Sequence, residues 1–75
     1  MKVTFDEVLV CDVRKTTFED NTYFSLHLYS DGTLYRVSIP KEAVSSFKDC
    51  VGQKISLETD MSTFDGKSRF KLVQE

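Results

Sequence analysis

Residues 22–39, TYFSLHLYSDGTLYRVSI, decide the fold because they contain two alternating runs joined by Ser30-Asp31-Gly32. In the first run, Phe24, Leu26 and Leu28 fall on one face. The other face carries Tyr23, Ser25, His27 and Tyr29. Alternation with a period of two is typical of a half-buried strand, and Asp-Gly between two such runs is a strong hairpin signal. The stretch therefore predicts a β-hairpin whose solvent face carries aromatic rings.

The segments around this hairpin predict a strand before it and a helix after it. Val3–Lys15 is typical of one long strand, and the polar residues Thr16–Thr22 predict a loop between that strand and the hairpin. Pro40 ends the third strand because it lacks the amide donor that a ladder needs. Pro40–Phe47 then predicts a helix of roughly two turns.

The last third of the chain predicts a second hairpin. Lys54–Met61 alternates cleanly, Ser62–Gly66 forms a turn with a second Asp-Gly pair, and Ser68–Gln74 is a final strand. The order β-β-β-α-β-β predicts a mainly β protein, a small five-stranded OB-fold-like barrel with one short helix, in a single domain over residues 1–75. An SH3-like barrel is the nearest alternative, but its strand order leaves no obvious place for the helix.

The core and the two thiols follow from the same pattern. Phe5, Phe24, Phe47 and Phe70 are expected in the core, and Tyr35 is expected to pack inward with them. Cys11 and Cys50 match no zinc or redox spacing, so reduced thiols in the cytoplasm are expected. Cys11 lies in an apolar run and is expected to act as a small core hydrophobe.

Composition limits the function classes. The formal net charge is −2 and the pI is near 5.3, whereas proteins that coat nucleic acid are usually basic. A local basic stripe can still bind phosphate while acidic residues occupy the rest of the surface. No stretch reaches the ~18 apolar residues of a membrane span, and Asp6 and Glu7 argue against a secretion signal. A cytoplasmic protein without membrane contact is expected.

Nothing in the chain predicts catalysis. The single histidine has no nucleophilic partner that the sequence can place beside it, and all three glycines lie in turns. Glu58 and Asp60 share a strand face, which we interpret as solvated barrel exterior. We expect no enzyme, no catalytic residue, no metal site and no cofactor.

The aromatic face predicts a binding surface for flat ligands. Tyr23, His27 and Tyr29 would stand ~7 to 14 Å apart along one strand, a spacing that lets successive unpaired bases each meet a ring. Arg36 on the partner strand would add a guanidinium to this surface. The alternative is that tyrosines favour strands anyway and half cover the core while showing a hydroxyl to water.

A second element is the cationic stripe Lys67, Arg69 and Lys71, which the alternation places on one strand face. Such a stripe can follow phosphates ~6 to 7 Å apart, although it also serves solubility or protects a sheet edge. Arg14 and Lys15, at the end of the first strand, could join the same groove.

A third element is a single phenylalanine in each of two polar loops, Phe18 in TTFED and Phe64 in STFDG. In the predicted barrel these two loops flank the ligand-binding face. Either ring could receive a partner there or fold back against the mouth of the barrel.

Residues 21–28 (NTYFSLHL) and 64–74 (FDGKSRFKLVQ) resemble the aromatic second strand and the terminal hairpin of the small OB-fold single-stranded DNA-binding proteins of filamentous phages and mobile elements. The resemblance covers Asn21–Gln74. It implies DNA contacts for Tyr23, Phe64, Lys67 and Arg69, and a homodimer that coats single-stranded DNA cooperatively. The chain departs from that family in its acidic balance.

Two functional hypotheses follow. The first is sequence-tolerant binding of single-stranded nucleic acid, with DNA expected, in phage or mobile-element replication. The residues predicted to carry it are Tyr23, His27, Tyr29, Arg36, Phe64, Lys67, Arg69 and Lys71. The second is a protein-interaction barrel that acts as an accessory or regulatory factor on a replication or phage protein, since interfaces are enriched in aromatic residues.

Overall fold

A computed structural model describes residues 1–73. Five strands and one short helical segment follow each other in the predicted order. They are β1 (Lys2–Phe18), β2 (Asn21–Ser30), β3 (Thr33–Ile39), a 3₁₀ turn (Lys41–Ala43) that continues into helix α1 (Val44–Lys48), β4 (Lys54–Phe64) and β5 (Lys67–Leu72). The last strand therefore ends before Gln74, which lies outside the described residues.

The strands close into a barrel in the order β1-β2-β3-β5-β4, so the predicted OB-fold-like architecture is confirmed. β1 is long enough to pair with β2 along its second half and with β4 along its first half. Closure on the far side uses a short parallel contact, in which Val37 pairs with Phe70 and Ser38 with Lys71. The β3–β5 ladder, with two residue pairs, is thus the shortest ladder of the barrel.

The core forms where the inward faces of the strands meet. Its buried members are Phe5, Val8, Val10, Leu26, Leu28, Val37 and Ile39. Phe5 also anchors an aromatic cluster, with its ring centroid 5.0 Å from that of Tyr35 and 5.2 Å from that of Phe70. Phe24 and Phe47 are partly buried against the same core, so the predicted inward faces are confirmed.

Two irregularities bend β1 so that it can serve both halves of the barrel. The register shifts between Phe5 and Val8 and again between Val10 and Asp12. At the first shift Glu7 has a φ of 49°, and its N–H donates to Ser56 Oγ at 3.2 Å. Bulges of this kind increase the local coiling of a strand.

The prediction that Cys11 is a core residue is wrong, because Cys11 is exposed. Val8 and Val10 are buried, so alternation along the strand points the side chain between Val10 and Asp12 outward. The bulge then keeps Asp12 outward as well, opposite His27, so two successive side chains face solvent here.

The predicted loop Thr16–Thr22 is also wrong, because both strands continue almost to its centre. Only Glu19 and Asp20 remain as the turn, both with left-handed φ values of 48° and 67°. The Asp31-Gly32 and Asp65-Gly66 turns have the same two-residue form. This conformation matches the twist of a hairpin and normally favours Asn, Asp or Gly. The turn at Glu19–Asp20 lacks the glycine that marks the other two turns, and its first residue is not a favoured one.

The short helix predicted after β3 is present, although its first turn is 3₁₀. Val44, Phe47 and Cys50 pack against the core. The connection to β4 is held by two backbone hydrogen bonds of 2.9 Å, from Val10 N–H to the Gln53 carbonyl and from Gly52 N–H to the Val10 carbonyl. Within residues 1–73, neither helical piece has the length and apolar character that crossing a bilayer requires.

Candidate nucleic-acid interface

The outer side of β2 presents its aromatic residues to solvent. Tyr23 is 56% exposed, Tyr29 is 43% exposed, and His27 lies half-buried between them. These three residues occupy alternate positions of one strand, so their side chains leave on the same face. The prediction that rings point outward here is confirmed.

The pairing of β2 with β3 extends this face sideways. Arg36 lies directly opposite His27, and Leu34 lies opposite Tyr29. On the other side of β2, Asp12 of β1 lies opposite His27. Arg36 therefore joins the aromatic face, as predicted.

Leu34 is a member of this face that the sequence argument did not single out. It is 70% exposed, an unusual position for a large aliphatic side chain. The signal was present, because a two-residue turn at Asp31-Gly32 places Leu34 opposite Tyr29 in the hairpin. An exposed leucine beside a tyrosine widens the apolar surface on which a flat group can lie.

The environment of His27 keeps its ring neutral. Burial lowers the pKa of His27 below its ordinary value, and the charges of Arg14 and Arg36 lower it further, while Asp12 acts in the opposite direction. The ring lies 3.4 Å from Ser25 Oγ, measured at Nε2. At neutral pH the imidazole is therefore an uncharged, partly desolvated ring.

The cationic stripe lies on β5, with all three side chains exposed as predicted. Lys71 pairs with Ser38 of β3, and Lys67 pairs with Phe64 of β4. Arg69 lies between these two lysines along the strand. The stripe therefore runs beside the outer face of β3.

A cleft separates the aromatic face from the stripe. The β3–β5 ladder contains only two residue pairs, and on one side of them the strands diverge to leave a cavity of about 530 Å³. Arg36, Lys67 and Arg69 line this cleft together with Tyr35 and Phe70. Cationic groups from both strands thus converge on a cleft whose lining includes two aromatic residues.

The loop-tip ring of Phe64 belongs to the same region. Its side chain is 63% exposed, and the Arg69 guanidinium carbon lies 5.6 Å from its ring centroid. The β4–β5 hairpin thus provides both a positive charge, at Arg69, and a flat surface, at Phe64. Phe64 therefore does not fold back against the barrel.

The other loop-tip ring, Phe18, is equally exposed but has a different setting. It lies at the end of β1, next to the Glu19–Asp20 turn. Within residues 1–73, no cation lies over its ring as Arg69 lies over that of Phe64. Two carboxylates beside the ring oppose the approach of phosphate.

The two cations at the end of β1 go to different places. Arg14 Nε lies 3.2 Å from Asp12 Oδ2, so its charge is already paired. Lys15, one residue further, lines a separate cavity with Tyr23 and Lys41. The prediction that Arg14 and Lys15 could both join one groove with the β5 stripe is therefore wrong.

The remaining cations of the site lack carboxylate partners. Across residues 1–73 the salt bridges are Arg14 with Asp12 and the Met1 amino group with Asp60. The cations of β3 and β5 take part in neither, and these are Arg36, Lys67, Arg69 and Lys71. These four side chains are exposed to solvent.

Comparison with known proteins gives no further assignment: no family model, no curated protein and no solved structure matches the chain.

Proposed function

We propose that this barrel binds single-stranded nucleic acid without sequence preference, with DNA as the expected ligand. Bases stack on the rings of Tyr23, His27, Tyr29 and Phe64. Phosphates contact Arg36, Lys67, Arg69 and Lys71. The observation that carries the proposal is that the aromatic outer face of β2 adjoins, through its partner strand β3, a cleft whose cations take part in no salt bridge within residues 1–73.

Single strands fit this surface better than duplexes because stacking needs the flat faces of the bases. In a duplex those faces are covered by neighbouring base pairs, whereas an unpaired strand can turn each base toward a ring. Stacking of this kind contributes ~1 to 3 kcal/mol per base and tolerates any base, since every base has a π-face. The cations then supply the sequence-independent part of the affinity.

The family resemblance of residues 21–28 and 64–74 supports DNA over RNA and a role in phage or mobile-element replication. It also supports a homodimer as the working unit. Tyr23, Phe64, Lys67 and Arg69, the four positions that inherit DNA contact from this resemblance, all lie in the proposed site.

The test is binding of fluorescent dT12 and of a duplex of the same length, each followed by anisotropy at two salt concentrations. We expect tighter binding of the single strand and a steep loss of affinity as salt rises, because neutralised phosphates release counterions. Equal affinity for both probes would contradict the stacking argument. No binding of dT12 at low salt would overturn the proposed function.

A second candidate function, docking on a protein partner, is favoured by one observation. Phe18 is 63% exposed at the tip of the β1–β2 hairpin, beside Glu19 and Asp20, where a nucleic-acid strand is repelled. An aromatic ring beside two acids suits a partner surface with an apolar pocket and a basic rim. A pull-down from nuclease-treated lysate distinguishes the candidates: a defined protein retained by the wild type and lost by Phe18→Ser supports docking.

A further inference from the structure

A second cavity lies where β3 ends before its neighbours. β1 and β2 remain paired as far as Phe18 and Asn21, but the last pair between β2 and β3 is Phe24 with Ile39. The next residue of β3 is Pro40, which has no amide hydrogen to extend the ladder. The β1–β2 hairpin therefore projects beyond the sheet and leaves a step beside Pro40.

The step forms a cavity of about 380 Å³. Phe24, Ile39 and Pro40 contribute apolar surface, and Lys15 and Lys41 reach it from two different elements. A volume in this range is at the lower end of that found for small-molecule sites, which run from ~300 to 1,000 Å³. The cavity has room for a single flat group of the size of a nucleobase.

The charge of the cavity points to an anionic ligand. Lys15 and Lys41 take part in neither of the salt bridges found within residues 1–73. Two ammonium groups beside an apolar wall suit a ligand that carries a negative group next to a flat, weakly polar one. A nucleotide combines these two features in one unit.

Tyr23 connects this cavity to the proposed interface. It lines the cavity and is also the last exposed ring of the β2 aromatic face. A strand that stacks along β2 and passes Tyr23 therefore reaches the step directly. The cavity lies at the opposite end of β2 from Tyr29.

We propose that this cavity, here called the step pocket, binds one nucleotide of the same single strand. The base lies against Phe24, Ile39 and Pro40, and its phosphate lies between Lys15 and Lys41. This inference rests on the proposed function and adds a separate subsite to it, at the end of the strand path beyond Tyr23.

The first test compares three double variants for binding of fluorescent dT12. Lys15→Ser/Lys41→Ser removes the charges of the step pocket, and Lys67→Ser/Arg69→Ser removes charges of the β5 stripe. Lys2→Ser/Lys54→Ser removes two cations from β1 and β4 and is the control, since all three variants change the net charge equally.

We expect the step-pocket variant to bind dT12 about fivefold to tenfold more weakly than the control. Its salt slope should be smaller by about 0.7, because the pocket holds one phosphate and each phosphate contact to a single strand contributes ~0.7. Identical binding by the step-pocket variant and the control would overturn the step pocket. If the β5 variant alone binds weakly, the proposed function stands without this subsite. If the wild type binds no dT12, both fall.

The second test locates the base in the wild-type protein. A dT12 probe that carries 5-iododeoxyuridine at successive positions is irradiated, and the adducts are mapped by mass spectrometry. Phe24 lies on the inner side of β2 and lines the cavity. An adduct on Phe24 is expected. Adducts confined to Tyr23, Tyr29 and Phe64 would contradict entry of a base into the step pocket.

Discussion

The two sides of the barrel exterior differ in how they satisfy their polar groups. On the β1–β4 side, Ser56 Oγ donates to Asp6 Oδ1 at 2.6 Å and accepts the Glu7 N–H at 3.2 Å. On the side of β2, β3 and β5, the cations of β3 and β5 have no carboxylate partner within residues 1–73. The β1–β4 side therefore holds a local hydrogen-bond network at Ser56, whereas the cations beside the cleft are free of such partners in the described part of the chain.

This difference shows that the net charge of the chain does not predict the charge of one face of the barrel. The chain carries a formal charge of −2, yet β3 (TLYRVSI) and β5 (KSRFKL) contain no acidic residue at all. The acids lie in β1, in β4 and at the turns. Within residues 1–73 none of them lines the cleft, although Asp60 of β4 lies opposite Lys71 of the stripe. A surface that can attract phosphate therefore exists on an acidic protein.

The largest effect should come from the aromatic face. Tyr29→Ala should weaken dT12 binding by ~1 to 3 kcal/mol, because one stacking surface is lost. Phe18→Ala is the matched control, since it removes a ring that is more exposed than Tyr29 and lies beside acids. Titration by anisotropy measures both, and a loss as large in Phe18→Ala as in Tyr29→Ala would break the distinction between the two rings.

The next effect concerns charge. Lys67→Ser/Arg69→Ser should lower dT12 affinity by about tenfold and reduce the salt slope by about 1.4, whereas Lys2→Ser/Lys54→Ser should leave both nearly unchanged. Affinities at several salt concentrations provide the two slopes. Equal salt slopes for the two variants would mean that the two sides of the barrel contribute equally to phosphate binding.

A substitution on the β1–β4 side should change the stability of the protein rather than its affinity for DNA. Ser56→Ala removes the hydrogen bonds to Asp6 and Glu7 and should lower the free energy of unfolding by about 1 kcal/mol. Urea denaturation measures the change, and dT12 affinity should stay as in the wild type. A loss of affinity at full stability would show that this side also contacts the ligand.

The smallest effect is the pH dependence of His27. Its pKa is lowered by burial and by Arg14 and Arg36, so the ring is neutral at pH 7 and takes up a proton only as pH falls below its ordinary range. A bound phosphate favours the charged ring. Affinity for dT12 should therefore rise on acidification, by less than about tenfold, and His27→Gln should remove this rise.

Acidification has the opposite effect on folding, because it lowers the free energy of unfolding through His27. The unfolded chain binds the His27 proton more readily than the folded one, so the contribution of the neutral ring to stability is present above the unfolded pKa. It is lost as pH falls through the folded pKa. Denaturation curves from pH 7 downward check this, with His27→Gln as the reference. A steeper loss in that variant than in the wild type would contradict the assignment.

Much of the fold could be predicted because alternation reports directly on which strand face is buried. Leu26 and Leu28 in β2 and Val37 in β3 are buried as their spacing predicts. The same rule placed Tyr23 and Tyr29 outside. The prediction failed at Cys11, where an apolar run was interpreted as buried on both faces, and at Glu19–Asp20, where the turn lacks glycine.

The sequence by itself determined the strands, the two Asp-Gly turns, the end of β3 at Pro40 and the residues on each strand face, because these depend on neighbours a few positions apart. Only the tertiary structure decided which faces meet. It brought Arg36 and Arg69 to one cleft, paired Arg14 with Asp12, and left the step beside Pro40. Those outcomes depend on the register between distant strands and on where β1 coils, which no local pattern encodes.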